Sequence, residues 1–141
     1  ATEIVTHNGI GFDFPVLKKV WGIQVKKSQL VDTLVLSRLY NPSLEDGHSL
    51  AAWGNRLGFP KGDFKDFDGG FTPEMLQYCI QDTKVTAELY KYLTKEMKMT
   101  QSLVDPCLYY WKSKVDEVIL MAVVHVDDVL LIGRKTKIEN K

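Results

Sequence analysis

The segment from Thr72 to Met97 constrains this chain more than any other. Thr72 has the side chain of an N-cap, Pro73 suits the first helical position, and Glu74 favours a first turn. Leu76, Ile80, Val85, Leu89 and Leu93 then recur at helical spacing out to about Met97. The pattern predicts a long amphipathic helix that must bury one face against something else. Tyr78 and Asp82 fall on one side of it, one turn apart. A carboxylate so placed can bind a divalent cation while a phenol orients water. A surface Tyr–Asp pair gives the same spacing.

Upstream, residues 3–6 read as a short apolar strand, and His7-Asn8-Gly9-Ile10-Gly11 as a turn. Phe12, Val16, Leu17 and Val20 have helical spacing, with Asp13 at the helix start and Pro15 tolerated in its first turn. Phe12 is expected in the core. Residues 30–39 predict a strand near Val31 that turns helical through Ser37 and is broken by Asn41-Pro42-Ser43. Residues 48–57 predict a third helix, begun by His48 and closed by Gly58. Residues 60–70 read as a loop.

Beyond residue 98 the character changes. Residues 102–106 form an irregular joint; residues 108–111, 118–124 and 129–133 read as strands, and a charged tail follows. The fold class expected is α/β for the first hundred residues, followed by a β-hairpin. We place the domain boundary there, giving units 1–97 and 98–141.

The 141 residues, 45% of them hydrophobic, suffice for one modest core. Lysine plus arginine and aspartate plus glutamate both number 18, so no global basic excess points to nucleic acid. A carboxylate-and-metal site needs only local acid. Cys79 and Cys107 stand apart without a C-x-x-C pair, which argues against zinc and for free thiols in a reducing, intracellular compartment. No apolar run approaches the ~18 residues that span a bilayer, so no membrane partner is expected.

A strand, a polar turn and an acid at a helix start place Asp13 at the carboxyl edge of a sheet, where α/β folds put chemistry. Asn8 closing a turn and Asp13 capping a helix would serve equally. Taken with their neighbours, the blocks HNGIGFDFPVL, VDTLVLSRLYN, HSLAAWGNRLG and YCIQDTKVTAELYKYL resemble, in order and spacing, the 3′→5′ proofreading exonuclease domains of phage-type family A DNA polymerases. These belong to the DEDDy branch of RNase H-like exonucleases. The resemblance spans about residues 4–97. It implies an RNase H-like fold of parallel strands and flanking helices, and metal-dependent removal of nucleotides from a single-stranded DNA 3′ end.

By the same resemblance Asp13, Tyr78 and Asp82 are catalytic, and Asp13 and Asp82 hold Mg²⁺ or Mn²⁺ in a two-ion mechanism. Asn8 and Phe12 contact substrate, Phe12 by stacking on a terminal base. Asp32 lies in a matching block and reads as structural. The family's first motif, D-x-E, does not precede Asn8, so impaired activity is expected.

The sequence SLVDPCLYYWKSKVDEVILMAVVHVDDVLLIG resembles the palm of copia-type retrotransposon reverse transcriptases over residues 101–133. It implies a hairpin presenting Asp127 and Asp128 as a second metal-binding pair, although His125 stands where that family usually has tyrosine. A solvated Asp-Asp turn reads the same way. A fragment of an RNA-directed DNA polymerase and an inactive nucleic-acid-binding or structural remnant are the alternative functions. The hairpin is also expected to extend the sheet formed by the strands near residues 3–6 and 31–36.

Overall fold

The computed structural model describes residues 3–112, 118–125 and 128–133. Two strands, β1 (Ile4–Thr6) and β2 (Leu30–Asp32), pair in parallel with Ile4 opposite Leu30 and Thr6 opposite Asp32. Parallel neighbours need a crossover. Here it is α1 (Asp13–Trp21), followed by a 3₁₀ turn at Lys27–Gln29. Gly22 adopts φ 66 at the C-cap of α1, and the backbone N–H groups of Gly22 and Ile23 return to Lys18 and Leu17.

Strand β2 runs directly into α2 (Thr33–Tyr40); α3 (Leu50–Arg56) and α4 (Pro73–Met97) follow. The α4 start is as expected: Thr72 accepts the Met75 N–H at 3.1 Å and Pro73 opens the helix. The close of α3 is a Schellman motif. The N–H of Gly58 meets the Asn55 carbonyl, that of Phe59 meets the Gly54 carbonyl, and Gly58 sits at φ 73. Ser49, not His48, caps α3, accepting the Ala52 N–H at 3.1 Å. His48 instead bonds Ser37 through Nδ1 at 2.7 Å and the Pro42 carbonyl through Nε2. Because a carbonyl can only accept, Nε2 carries the proton and Nδ1 accepts from the Ser37 hydroxyl. That hydroxyl also receives the Trp53 indole N–H, so one buried oxygen ties α2, α3 and the intervening loop.

The remaining strands form an antiparallel sheet in the order β3 (Thr100–Gln101), β4 (Leu108–Lys112), β5 (Val118–His125), β6 (Asp128–Gly133). This sheet does not extend the parallel pair, contrary to expectation. It presses one face onto the helices instead. Alternation along the strands aims Tyr109, Ala122 and Val124 inward, against Val35, Leu36 and Leu39 of α2 and Leu89, Leu93 and Met97 of α4. Trp111 donates its indole N–H to the Met97 carbonyl at 2.9 Å, satisfying an orphan acceptor at the end of α4. Gln101 donates to the carbonyls of Leu30 and Pro106, joining this sheet to β2 by a side chain.

Two expectations about the core are corrected. Leu76 and Ile80 are 44% and 37% exposed, because the core packs on the later turns of α4, where Val85, Leu89, Leu93 and Met97 are buried, and the loop before α4 reaches its first turns on another side, at Tyr78 and Asp82. Phe12 is 63% exposed, because α1 lies on the rim and buries none of its residues. Among the described residues no helix is long and apolar enough to cross a membrane.

Candidate active site

The turn after β1 is held by one carboxylate. Asp32 is 1% exposed and accepts three backbone N–H groups, from Asn8 at 2.8 Å, Ile10 at 3.0 Å and Leu34 at 2.9 Å. It therefore caps α2 and fixes the path of residues 7–10 in one stroke. Asn8 takes φ 67, a left-handed conformation that asparagine tolerates better than most residues. Gly9 lies so close to Thr6 that a Cβ there would stand 2.3 Å from the hydroxyl oxygen. The structural reading of Asp32 thus has a geometric cause. His7 belongs to the same network: Thr33 donates its hydroxyl hydrogen to the Thr6 carbonyl, so its oxygen accepts from His7 Nδ1 at 2.9 Å. Burial pushes the His7 imidazole below its ordinary pKa, outweighing the pull of Asp32 in the other direction.

The turn delivers Asp13 to the first position of α1. It does not cap the helix, since Phe12 occupies that place without a side-chain bond. Asp13 and Asp82, distant in sequence, line one cleft of about 630 Å³ together with His7, Thr86, Tyr90 and others. Asp82 reaches it because α4 runs past β1. Its Oδ1 is buried and has no hydrogen-bond partner among the described residues, while Oδ2 meets the Lys61 ammonium at 3.1 Å.

Lys61 comes from the loop between α3 and α4. That loop is drawn onto α4 by Gln81, which donates to the Pro60 carbonyl at 2.9 Å. Gly54 allows the approach: a Cβ on it would lie 2.6 Å from the Phe59 carbonyl oxygen. The Lys61 ammonium also sits 4.9 Å from the Tyr78 ring centroid. Desolvation works to lower the Lys61 pKa, but the interactions with Tyr78 and Asp82 prevail and raise it. Tyr78 packs against Phe64 and Phe67, each with ring centroids 5.8 Å from its own.

Asp13 and Asp82 are thus brought to one cavity. Tyr78 shares Lys61 with Asp82 but lies under the loop rather than on the cleft wall, and Asn8 and Phe12 are likewise absent from that wall. Asp127 lies outside the described residues. Asp128 begins β6, with its backbone opposite His125, and its side chain lies outside them too. Lys61 and His7 were missed in the sequence. Neither sits in a periodic pattern, and the only hint was a lysine in a Gly- and Phe-rich loop that had no other visible purpose.

Among the described residues no three His, Cys, Asp or Glu side chains come together as a metal-holding group. Two carboxylates, one already paired with an ammonium, are fewer than a two-ion centre needs, and they would make up only part of one. Asp82 Oδ1 remains an unsatisfied acceptor of the hard oxygen type.

No protein-family model matches the sequence. The chain is 33% identical to the DNA-directed DNA polymerase of Escherichia phage T7 over an alignment 133 positions long, gaps included, that takes in 66% of this chain and 19% of the polymerase. The DNA-directed DNA polymerase of Enterobacteria phage T3 gives the same figures. A PolC-type DNA polymerase III of Mycoplasma genitalium is 33% identical over 98 residues, covering 67% of this chain and 6% of that protein. The chain spans about a fifth or less of the length of these relatives. Over about two thirds of its length, the chain is homologous to DNA polymerases.

Proposed function

We propose that residues 1–97 are the 3′→5′ exonuclease portion of a DNA polymerase, of RNase H-like descent, acting on a single-stranded DNA 3′ end with Mg²⁺ or Mn²⁺. The observation that carries this reading is the convergence of Asp13 and Asp82 on one cleft, with Asp82 Oδ1 buried and unpartnered among the described residues. An acid that opens the helix after the first parallel strand and another on the long helix form half of a two-ion carboxylate set. Among the described residues no third His, Cys, Asp or Glu side chain joins them in a metal-holding group, so we assign weak activity to the set as it stands. Lys61 adds a cation beside Asp82, where a substrate phosphate would also be attracted. Phe12, exposed one residue before Asp13, is free to stack on a base. The antiparallel β5–β6 pair supports reading residues 98–141 as a piece of a palm-like hairpin with a separate origin.

The test is release of mononucleotides from a 3′-labelled single-stranded DNA in Mg²⁺ and in Mn²⁺. Slow release that needs the metal and disappears in the Asp13→Ala/Asp82→Ala variant is expected. Background-level release from the parent chain, or release that survives in the variant, would defeat the reading.

A further inference from the structure

The chain is neutral overall, yet between Asp13 and Asp32 it contains no acidic residue and four lysines: Lys18, Lys19, Lys26 and Lys27. All four are exposed. None forms an ion pair among the described residues. Gly22 turns the chain back at the end of α1, so that residues 23–25 return along the helix. Ile10, Phe14, Pro15, Ile23 and Val25, with Lys18 beside them, line a shallow groove of about 420 Å³ there. Trp21 stands at the tip, 70% exposed and stacked on no other ring among the described residues.

Each feature alone has a bland explanation. Lysines favour the last turn of a helix, and a single exposed aromatic is ordinary. The combination is more demanding. Exposing an indole and an apolar groove costs solvation free energy that a monomer avoids by burial. Lys18 in that groove, and Lys19, Lys26 and Lys27 close to it in the chain, with no ion pair among the described residues, keep that surface open to a polyanion with flat apolar faces. Single-stranded nucleic acid has both properties: phosphates for the ammonium groups and unstacked bases for an indole. A duplex hides its base faces, and a run of acidic side chains offers no π-face of its own.

We infer that α1 and the returning segment through Lys27 form a binding surface for single-stranded nucleic acid. Lys18, Lys19, Lys26 and Lys27 hold the backbone, and Trp21 stacks on a base. Lys18 is five residues along α1 from Asp13, roughly 8 Å by helical rise, so a strand on this surface lies beside the cleft without occupying it. The surface needs neither a metal nor the cleft acids.

The experiment is fluorescence anisotropy of a labelled oligodeoxythymidylate with the full chain in EDTA, between about 50 and 200 mM salt. Replacing all four lysines by alanine is expected to weaken binding more than tenfold at the lower salt. It should also flatten the slope of log affinity against log salt by about 2 to 3, at ~0.7 for each single-strand phosphate that is no longer neutralised. The fourfold Lys→Arg variant retains binding, which separates lost charge from misfolding. Trp21→Ala weakens binding by about tenfold, the usual scale for one stacked base, and removes the quenching of indole fluorescence. Because binding is read in EDTA and nucleotide release is read in Mg²⁺ or Mn²⁺, failure of the cleft chemistry and failure of this surface are read separately. Unchanged affinity and slope in the fourfold alanine variant would overturn the assignment. So would displacement of the oligonucleotide by polyglutamate of equal charge, which would mark the surface as a dock for acidic protein.

Discussion

At the scale of single residues, Asp32 and His7 decide how the cleft is held. Asp32 satisfies three N–H donors with two oxygens. Asparagine has one acceptor oxygen, and its amide would point a donor at a donor, either toward Ile10 or toward Asn8 and Leu34. A buried donor left unsatisfied costs about 1–3 kcal/mol. Asp32→Asn is therefore expected to lower unfolding stability in urea by about 2–3 kcal/mol and to loosen residues 7–10. A decrease below about half a kcal/mol would contradict the role given to the carboxylate. His7 adds a pH dependence. Its folded pKa lies below the ordinary 6.5, so the unfolded chain binds more protons in the interval between the two values. Stability then falls as pH drops below 6.5 toward the folded value. Thermal unfolding across that interval should show the decline in the parent and a flatter profile in His7→Gln.

At the scale of elements, α4 does two jobs along its length. Its later turns are core, where Leu89 and Leu93 are fully buried. Its first turns carry Tyr78 and Asp82 and leave Leu76 and Ile80 toward solvent. Leu89→Ala should cost about 2–5 kcal/mol, the range for a buried leucine that leaves a cavity. Leu76→Ala should cost less than about 1 kcal/mol, since most of the transfer term is absent. Equal costs would mean that Leu76 is covered in solution. The sequence marked the helix start well, because Thr72 and Pro73 act through local chemistry. It misjudged which apolar positions are inside, because periodicity reports that a face exists but not how much of it a neighbour reaches. The same limit applies to α1, whose helical spacing is real and whose apolar side chains are mostly open.

At the scale of the whole molecule, the antiparallel sheet and the helices share one core. Tyr109, Ala122 and Val124 fill the space against α2 and α4. We propose a boundary near residue 98 from the change of pattern there, and the shared core gives that boundary a consequence. A chain ending at residue 98 would expose Leu36, Leu93 and Met97, and we expect it to lose cooperative urea unfolding that the full chain shows. A fragment with an equally sharp transition would show that the sheet is dispensable.

Elements and their order were written locally. Strand, turn and helix signals around Asn8, Asp13, Thr72 and Gly58 depend on a few neighbouring residues, and each reappears in the fold. The family blocks likewise marked Asp13 and Asp82. What local signals could not contain is who meets whom. Lys61 reaches Asp82 only because Gly54 lets the loop pass close and Gln81 holds it there. The C-terminal strands were legible as strands, but a strand pattern does not say whether its partner is another strand's edge or a helix face. That choice went to face packing, in which Tyr109, Ala122 and Val124 bury apolar surface against α2 and α4 that backbone hydrogen bonds along an edge do not cover.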